Sequence, residues 1–196
     1  MMEKVDIAII GAGVVGLALA YSISRQRNRS VAVLEKNRTY GLDTSSRNSQ
    51  VIHSGIYYPS SMLKTQFCIE GRQKLYDFCR AYQVDYNPTG KLVLACHPAE
   101  SGKLEELRQQ GQANGVKLKL LSAKERQQLE PSIYAFEALL VPESGILDVH
   151  QLMQRLYLLS GLMKSFLIFT PSLSNWNTPA KTISSPAIGT NSKLIP

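Results

Sequence analysis

Val5–Ile23, VDIAIIGAGVVGLALAYSI, is the stretch whose reading decides the fold. A short β-prone run, Val5–Ile10, leads directly into glycines at 11, 13 and 16, and an apolar stretch follows through Ile23. The pattern predicts strand, tight turn and helix. Gly11 permits the turn, Gly13 lets the backbone approach a pyrophosphate, and Gly16 lets the helix pack on the strand. Phosphates then meet the backbone of Ala12, Val14 and Val15 at a helix N-terminus, where N–H groups and the helix dipole favour negative charge. After Asn28 the run SVAVLEK supplies a second strand, so residues 5–36 have the length of one βαβ unit.

GxGxxG alone is a weak signal; its place between strand and helix, with an acid closing the next strand, makes it strong. That acid is Glu35, nineteen residues after Gly16 and followed by Lys36. A carboxylate there accepts hydrogen bonds from an adenosine ribose and disfavours a 2'-phosphate, which selects FAD or NAD over NADP. The glycines do not separate FAD from NAD.

Composition bounds the rest. The chain has 196 residues, 44% hydrophobic and 19% charged, enough for a real core and unlike a disordered or fibrous protein. The net charge of +7 is unevenly spread: up to Asp148 there are 18 basic and 15 acidic residues, and the remaining four basic residues lie in an acid-free C-terminal stretch. No run of five basic residues occurs and the aromatics do not interleave with lysine and arginine, so nucleic-acid binding is not expected. Cys68, Cys79 and Cys96 are odd in number and lack CxxC spacing, which argues for free thiols and against a zinc site or disulfide framework. The N-terminus lacks the shape of a signal or transit peptide. The apolar stretch Leu156–Phe169 carries Lys164 and is short for a membrane span. A cytoplasmic protein is expected, with peripheral contact at the inner membrane left open.

Further along, apolar residues from Leu63 to Tyr82 recur every three or four positions and predict an amphipathic helix over 62–82. Gly90–Cys96 reads as a strand, Leu104 and Leu107 mark a helix ending near Asn114-Gly115, and Ser122-Ala-Lys-Glu125 has the spacing of a capping box before a helix that Pro131 stops. Asp148 opens another helix near Val149. Beyond Ser160 the sequence becomes rich in Ser, Thr, Pro and Asn without a period, and a disordered tail is expected.

Between these elements lies Ser45–Tyr58, SSRNSQVIHSGIYY, too polar for an ordinary strand and too rich in aromatic and β-branched residues for an ordinary loop. With IAIIGAGVVGLALAY, VAVLEK, LKTQFCIEGRQKLYDFC, GKLVLA and PESGILDVHQL, it resembles the FAD-dependent D-amino-acid-oxidase-like superfamily. Within that superfamily the chain is most similar to the L-2-hydroxyglutarate dehydrogenase (oxidase) family. The likeness runs in order from about residue 5 to 157, SSRNSxVIHxGIYY being its most specific part. Glycerol-3-phosphate dehydrogenases share a looser version. Gln50 and Ser54 stand where Glu or Gly, and Ala, are more usual.

The resemblance implies an α/β fold: a Rossmann-like FAD-binding part over 1–82, then 83–157 as the start of a substrate-binding α+β region. Family members are longer, so 158–196 reads as an atypical tail of a truncated chain. It further implies oxidation of L-2-hydroxyglutarate to 2-oxoglutarate by hydride transfer to FAD, with electrons passing to a quinone or oxygen. His53 is then the candidate base, since an imidazole titrates near ~6.5, or a group that only hydrogen-bonds the cofactor. Ser45, Ser46, Asn48 and Ser49 are candidate donors to phosphate or flavin. Arg47 neutralises pyrophosphate, meets a carboxylate, or faces solvent. Gly55 gives the flavin ring close approach to backbone. Three other readings stay open: an amine or amino-acid oxidase of the same superfamily, an inactive FAD-binding fragment, and an NAD-binding dehydrogenase or regulatory module, which GxGxxG alone allows and residues 45–58 count against.

Overall fold

The computed structural model describes residues 4–26, 29–162 and 165–169. The chain divides into two compact units, Met1–Leu42 with Leu156–Pro196, and Asp43–Arg155.

The first unit opens with β1 (Ile7–Ile10), α1 (Val14–Ser24) and β2 (Val31–Glu35). β1 and β2 are parallel, Ile7 opposite Val31 through Ile10 opposite Leu34. Parallel neighbours need a crossover, and α1 provides it. Ile9, Leu17, Ala20, Val31 and Val33 are buried and form the layer between helix and sheet.

The second unit continues with a 3-10 turn over Thr44–Ser46, β3 (Val51–Ile52), α2 (Leu63–Tyr82), β4 (Tyr86–Asn87), β5 (Lys91–Ala95), α3 (Ser101–Ala113), β6 (Lys119–Leu121), α4 (Ala123–Leu129), β7 (Glu137–Val141) and β8 (Gly145–Leu147). Two antiparallel three-stranded sheets result, in the orders β3-β8-β4 and β5-β7-β6. β7 is central because Ala138, Leu139 and Val141 are apolar and fully buried. Leu104 of α3 packs with Ala95 and Leu139, and Ile56 with Val116 and Val141. The Ser122 hydroxyl accepts the Glu125 N–H and the Glu125 carboxylate accepts the Ser122 N–H, the reciprocal cap expected for α4.

α5 (Val149–Leu162) carries the chain out of the second unit, and β9 (Ser165–Phe169) pairs parallel with β2, completing the order β1-β2-β9 in the first. These boundaries differ from a partition at 82 and 157. α2 belongs to the second unit: its Arg72 pairs with Glu143 at 3.1 Å, and the Tyr76 hydroxyl donates to the Glu143 carbonyl. Of the tail expected from 158, residues 158–162 continue α5 and Phe166–Phe169 belong to a strand. A run of four apolar residues suits a third parallel strand, and the Ser/Thr/Pro-rich composition begins only after it. Residues 170–196 lie outside the described residues.

Candidate functional site

The turn between β1 and α1 is shaped by what its glycines lack. Gly11 has φ +96°, a left-handed conformation that side chains rarely adopt. A Cβ on Gly16 would lie 2.0 Å from the carbonyl oxygen of Gly11, so helix and turn approach as closely as they do only because residue 16 has none. The Gly11 N–H donates to the Leu34 carbonyl at 2.7 Å, tying the turn to β2. Gly13 precedes α1 in an extended conformation, no side chain caps the helix, and its first turn carries no acid. The N-terminal backbone of this three-turn helix is therefore shaped for an anion.

Glu35 is buried behind this turn. One carboxylate oxygen, Oε2, accepts the Ala12 N–H at 2.7 Å; the other, Oε1, accepts both the Asn37 N–H and its Nδ2, each at 2.9 Å. A carboxylate has about four acceptor positions, and donors among the described residues fill three of them. Glu35 thus braces the cradle as well as closing β2, a part that spacing alone did not suggest. Ala12 is fully buried and its carbonyl accepts the Gly41 N–H, while Val15 at the helix start and Lys36 beyond β2 are exposed. A diphosphate-bearing cofactor fits this arrangement, since its open face is backbone at a helix N-terminus.

In the second unit, the segment 45–58 is held largely by its own polar groups at one end and by other elements at the opposite end. Asn48 Nδ2 donates to the Ser45 carbonyl and its Oδ1 accepts the Gln50 N–H, both at 2.7 Å; the Ser46 hydroxyl donates to the Asp43 carbonyl. Ser49 and Arg47 are exposed, and Arg47 meets no carboxylate among the described residues. Gln50 is left-handed at φ 59°, which explains why glycine suits this position; its side chain offsets the strain by accepting the Val149 N–H at the start of α5.

From Ser54 onward the support comes from α2 and α3. Arg72 Nη1 donates to the Ser54 carbonyl, Asn114 Nδ2 to the carbonyls of Gly55 and Tyr58 at 2.8 and 2.9 Å, Gln110 Nε2 to that of Ile56 at 2.9 Å, and Thr65 Oγ1 to those of Tyr58 and Pro59. Gly55 has φ +95°, and a Cβ there would meet Ile69 of α2 at 3.0 Å. Glycine at 55 is therefore accounted for by left-handed backbone and helix packing.

His53 stands exposed just before this clamped stretch. Partial desolvation first, then the charges of Lys91 and Lys64, push its pKa below the ordinary imidazole value, so it is neutral and able to accept a proton at pH 7. Lys91 lies over the Tyr57 ring at 4.3 Å and Lys64 over the Tyr58 ring at 4.1 Å. Of the three thiols Cys79 is buried, and burial raises its pKa.

The family model described as "FAD dependent oxidoreductase" (DAO) matches residues 6–159, spanning both the cradle and the clamped segment. The chain belongs to this FAD-dependent oxidoreductase family. It is 46% identical over 165 residues to the mitochondrial L-2-hydroxyglutarate dehydrogenase of Arabidopsis thaliana, covering 84% of this chain and 33% of that protein. Among solved structures, it superposes on FAD-bound L-alpha-glycerophosphate oxidase from Mycoplasma pneumoniae with a TM-score of 0.77 and 28% identity, over 86% of this chain and 45% of that one. Glycine oxidase from Geobacillus kaustophilus matches at TM-score 0.76 and 20% identity, over 84% and 46%, a likeness of fold alone. The chain spans about a third of the length of the curated relatives it matches.

For a member of this family, the residues that sequence reasoning missed are the supports: Arg72, Gln110, Asn114 and Thr65. They lie six to 59 positions from the carbonyls they bind, and in the sequence Asn114 marks only a helix end. A hollow of about 360 Å³ beside α3, lined by Ser101, Leu104, Glu105, Arg108 and Glu137 among others, contains none of the candidate site residues. No helix among the described residues is long and apolar enough to cross a membrane.

Proposed function

We propose that this protein binds FAD and oxidises a 2-hydroxy acid, L-2-hydroxyglutarate, to the 2-oxo acid. The observation that carries the proposal is the 46% identity to an L-2-hydroxyglutarate dehydrogenase across 84% of the chain. The glycine cradle, with its close Gly11–Gly16 approach and Glu35 brace, supports the cofactor half of it.

Oxidation of the carbinol removes a hydride from C2 and a proton from the hydroxyl. FAD, when bound, supplies the hydride acceptor that side chains lack. Gly11, Ala12, Gly13, Val14, Val15 and Gly16 receive the pyrophosphate through backbone, and Glu35 offers its remaining acceptor position to the adenosine ribose, beside Lys36. Ser45, Ser46, Arg47, Asn48, Ser49 and Gly55 belong to the segment that faces the cofactor. His53 takes the hydroxyl proton at Nε2 or Nδ1; its depressed pKa keeps that nitrogen free at neutral pH. The clamp by Arg72, Gln110 and Asn114 keeps the backbone next to His53 from moving during the reaction. Electrons leave to a quinone or to oxygen; a quinone acceptor entails peripheral contact with a membrane.

The test scores binding and turnover separately. The refolded chain is mixed with FAD and dialysed, then assayed with L-2-hydroxyglutarate and a dye acceptor. Retained flavin with 2-oxoglutarate formation is the expected result. Flavin retention without product would leave a binding fragment, ammonia release from amino acids would transfer the protein to the amine oxidases, and loss of all flavin would end the proposal.

A further inference from the structure

We propose that Lys64 and Lys91 form a carboxylate-receiving pair beside His53, the subsite that takes the anionic end of a small carboxylic acid. This deepens the reading of the protein as a 2-hydroxy-acid oxidoreductase and rests on it for the identity of the acid.

The two lysines come from different elements, Lys64 from the first turn of α2 and Lys91 from the first residue of β5, and they converge on the same short stretch. Lys64 Nζ sits 4.1 Å from the Tyr58 ring centroid and Lys91 Nζ 4.3 Å from that of Tyr57, where Lys91 also donates to the phenol oxygen. A ring face orients an ammonium without neutralising it, and each ammonium has three donors. Both charges act on His53.

Neither lysine meets a carboxylate among the described residues. Lys64 also stands in the wrong turn for its charge, since a cation at a helix N-terminus opposes the dipole and the first turn of α2 holds no acid to offset it. Two cations without an acidic partner thus stand on the adjacent rings of Tyr57 and Tyr58, four and five residues after His53 in the chain. An anion there satisfies both ammoniums and the helix end together, and brings the carbon chain it belongs to within reach of His53.

Glutarate, a dicarboxylate without an oxidisable hydroxyl, is the probe, and its uncharged diamide is the control. On the full chain, calorimetry gives affinity and the His53 imidazole resonances report location. Glutarate is expected to bind and to shift the His53 signals, with affinity falling as salt rises. Lys64→Gln and Lys91→Gln should each weaken it by roughly three- to tenfold, the double variant by more, and Lys→Arg at either position should retain binding within about twofold. The diamide should not bind. Glutarate affinity unchanged in the double Gln variant, no binding to the parent chain, or saturation without movement of the His53 signals would each overturn the pair. If glutarate binds with the expected lysine dependence while the flavin-loaded chain oxidises no 2-hydroxy acid, the pair stands and the reaction falls. If turnover proceeds with KM unchanged by both substitutions, the reaction stands and the pair falls.

Discussion

At Gly16 the first unit depends on a missing atom: a Cβ would stand 2.0 Å from the Gly11 carbonyl oxygen, so backbone meets backbone across the turn, with Glu35 as its one named side-chain brace. At Ser54–Tyr58 the second unit depends on added atoms, with Arg72, Gln110, Asn114 and Thr65 reaching from two helices to hold the carbonyls of four residues. One region is shaped by backbone geometry over a few consecutive residues, the other by side chains distant in sequence. The first kind of site is most sensitive to substitution at its own glycines; the second is sensitive to change at distant helix positions.

Substitution at Gly16 should produce the largest effect. Gly16→Val forces α1 away from the turn, and unfolding by urea should register a loss of roughly 3 kcal/mol or more, with flavin retention abolished. A variant that unfolds like the parent would break the claim that the cradle is set by close approach. Asn114→Ala comes next: it strips a buried amide from two carbonyls, and a loss of about 2–3 kcal/mol is expected in the same measurement. It should also slow turnover more than it weakens FAD binding, because the glycine cradle for the pyrophosphate lies in the first unit; equal losses in both would erase the distinction between the two regions.

Glu35→Gln sharpens the contrast from the other side. Glu35 is buried and accepts three N–H donors, so replacing it should cost about 1–2 kcal/mol and weaken FAD binding, with little effect on the His53 titration. The smallest effect concerns pH. Because desolvation, Lys91 and Lys64 lower the His53 pKa, the midpoint of its protonation lies below the ordinary imidazole value of ~6.5. The acid limb of kcat/KM should therefore lie below pH ~6.5, and Lys91→Gln should move the His53 titration upward when followed by NMR. An acid limb above that value would show that a different group is the base.

The difference between the two regions also explains how much was legible in the sequence. GAGVVG and Glu35 could be read because turn, helix start and strand end lie within one βαβ unit, where spacing and geometry are nearly the same thing. The helices over 63–82 and 123–129 were legible for the same reason, through apolar period and the Ser122–Glu125 cap. β3, β4, β6 and β8 were not, since strands of two or three residues carry no period and exist only through their partners. β9 was hidden because SFLIF directly precedes a polar stretch that dominates its composition. At the site, His53 stood out by its neighbours in sequence, whereas Asn114 looked like any helix-ending asparagine until its two carbonyl partners were visible. Glu35 lay between: its position was legible, and its bond to Ala12 was not.

The central proposal is that the chain supplies a base, His53, to the oxidation of a 2-hydroxy acid by bound flavin. Anaerobic mixing of the FAD-loaded protein with L-2-hydroxyglutarate, followed by visible flavin absorbance, tests it in the parent chain and in His53→Gln side by side. The expected result is rapid bleaching in the parent and bleaching about 10²- to 10⁴-fold slower in the variant, with equal flavin content in both. Bleaching at the same rate in the two proteins, or none in the flavin-loaded parent, would contradict it.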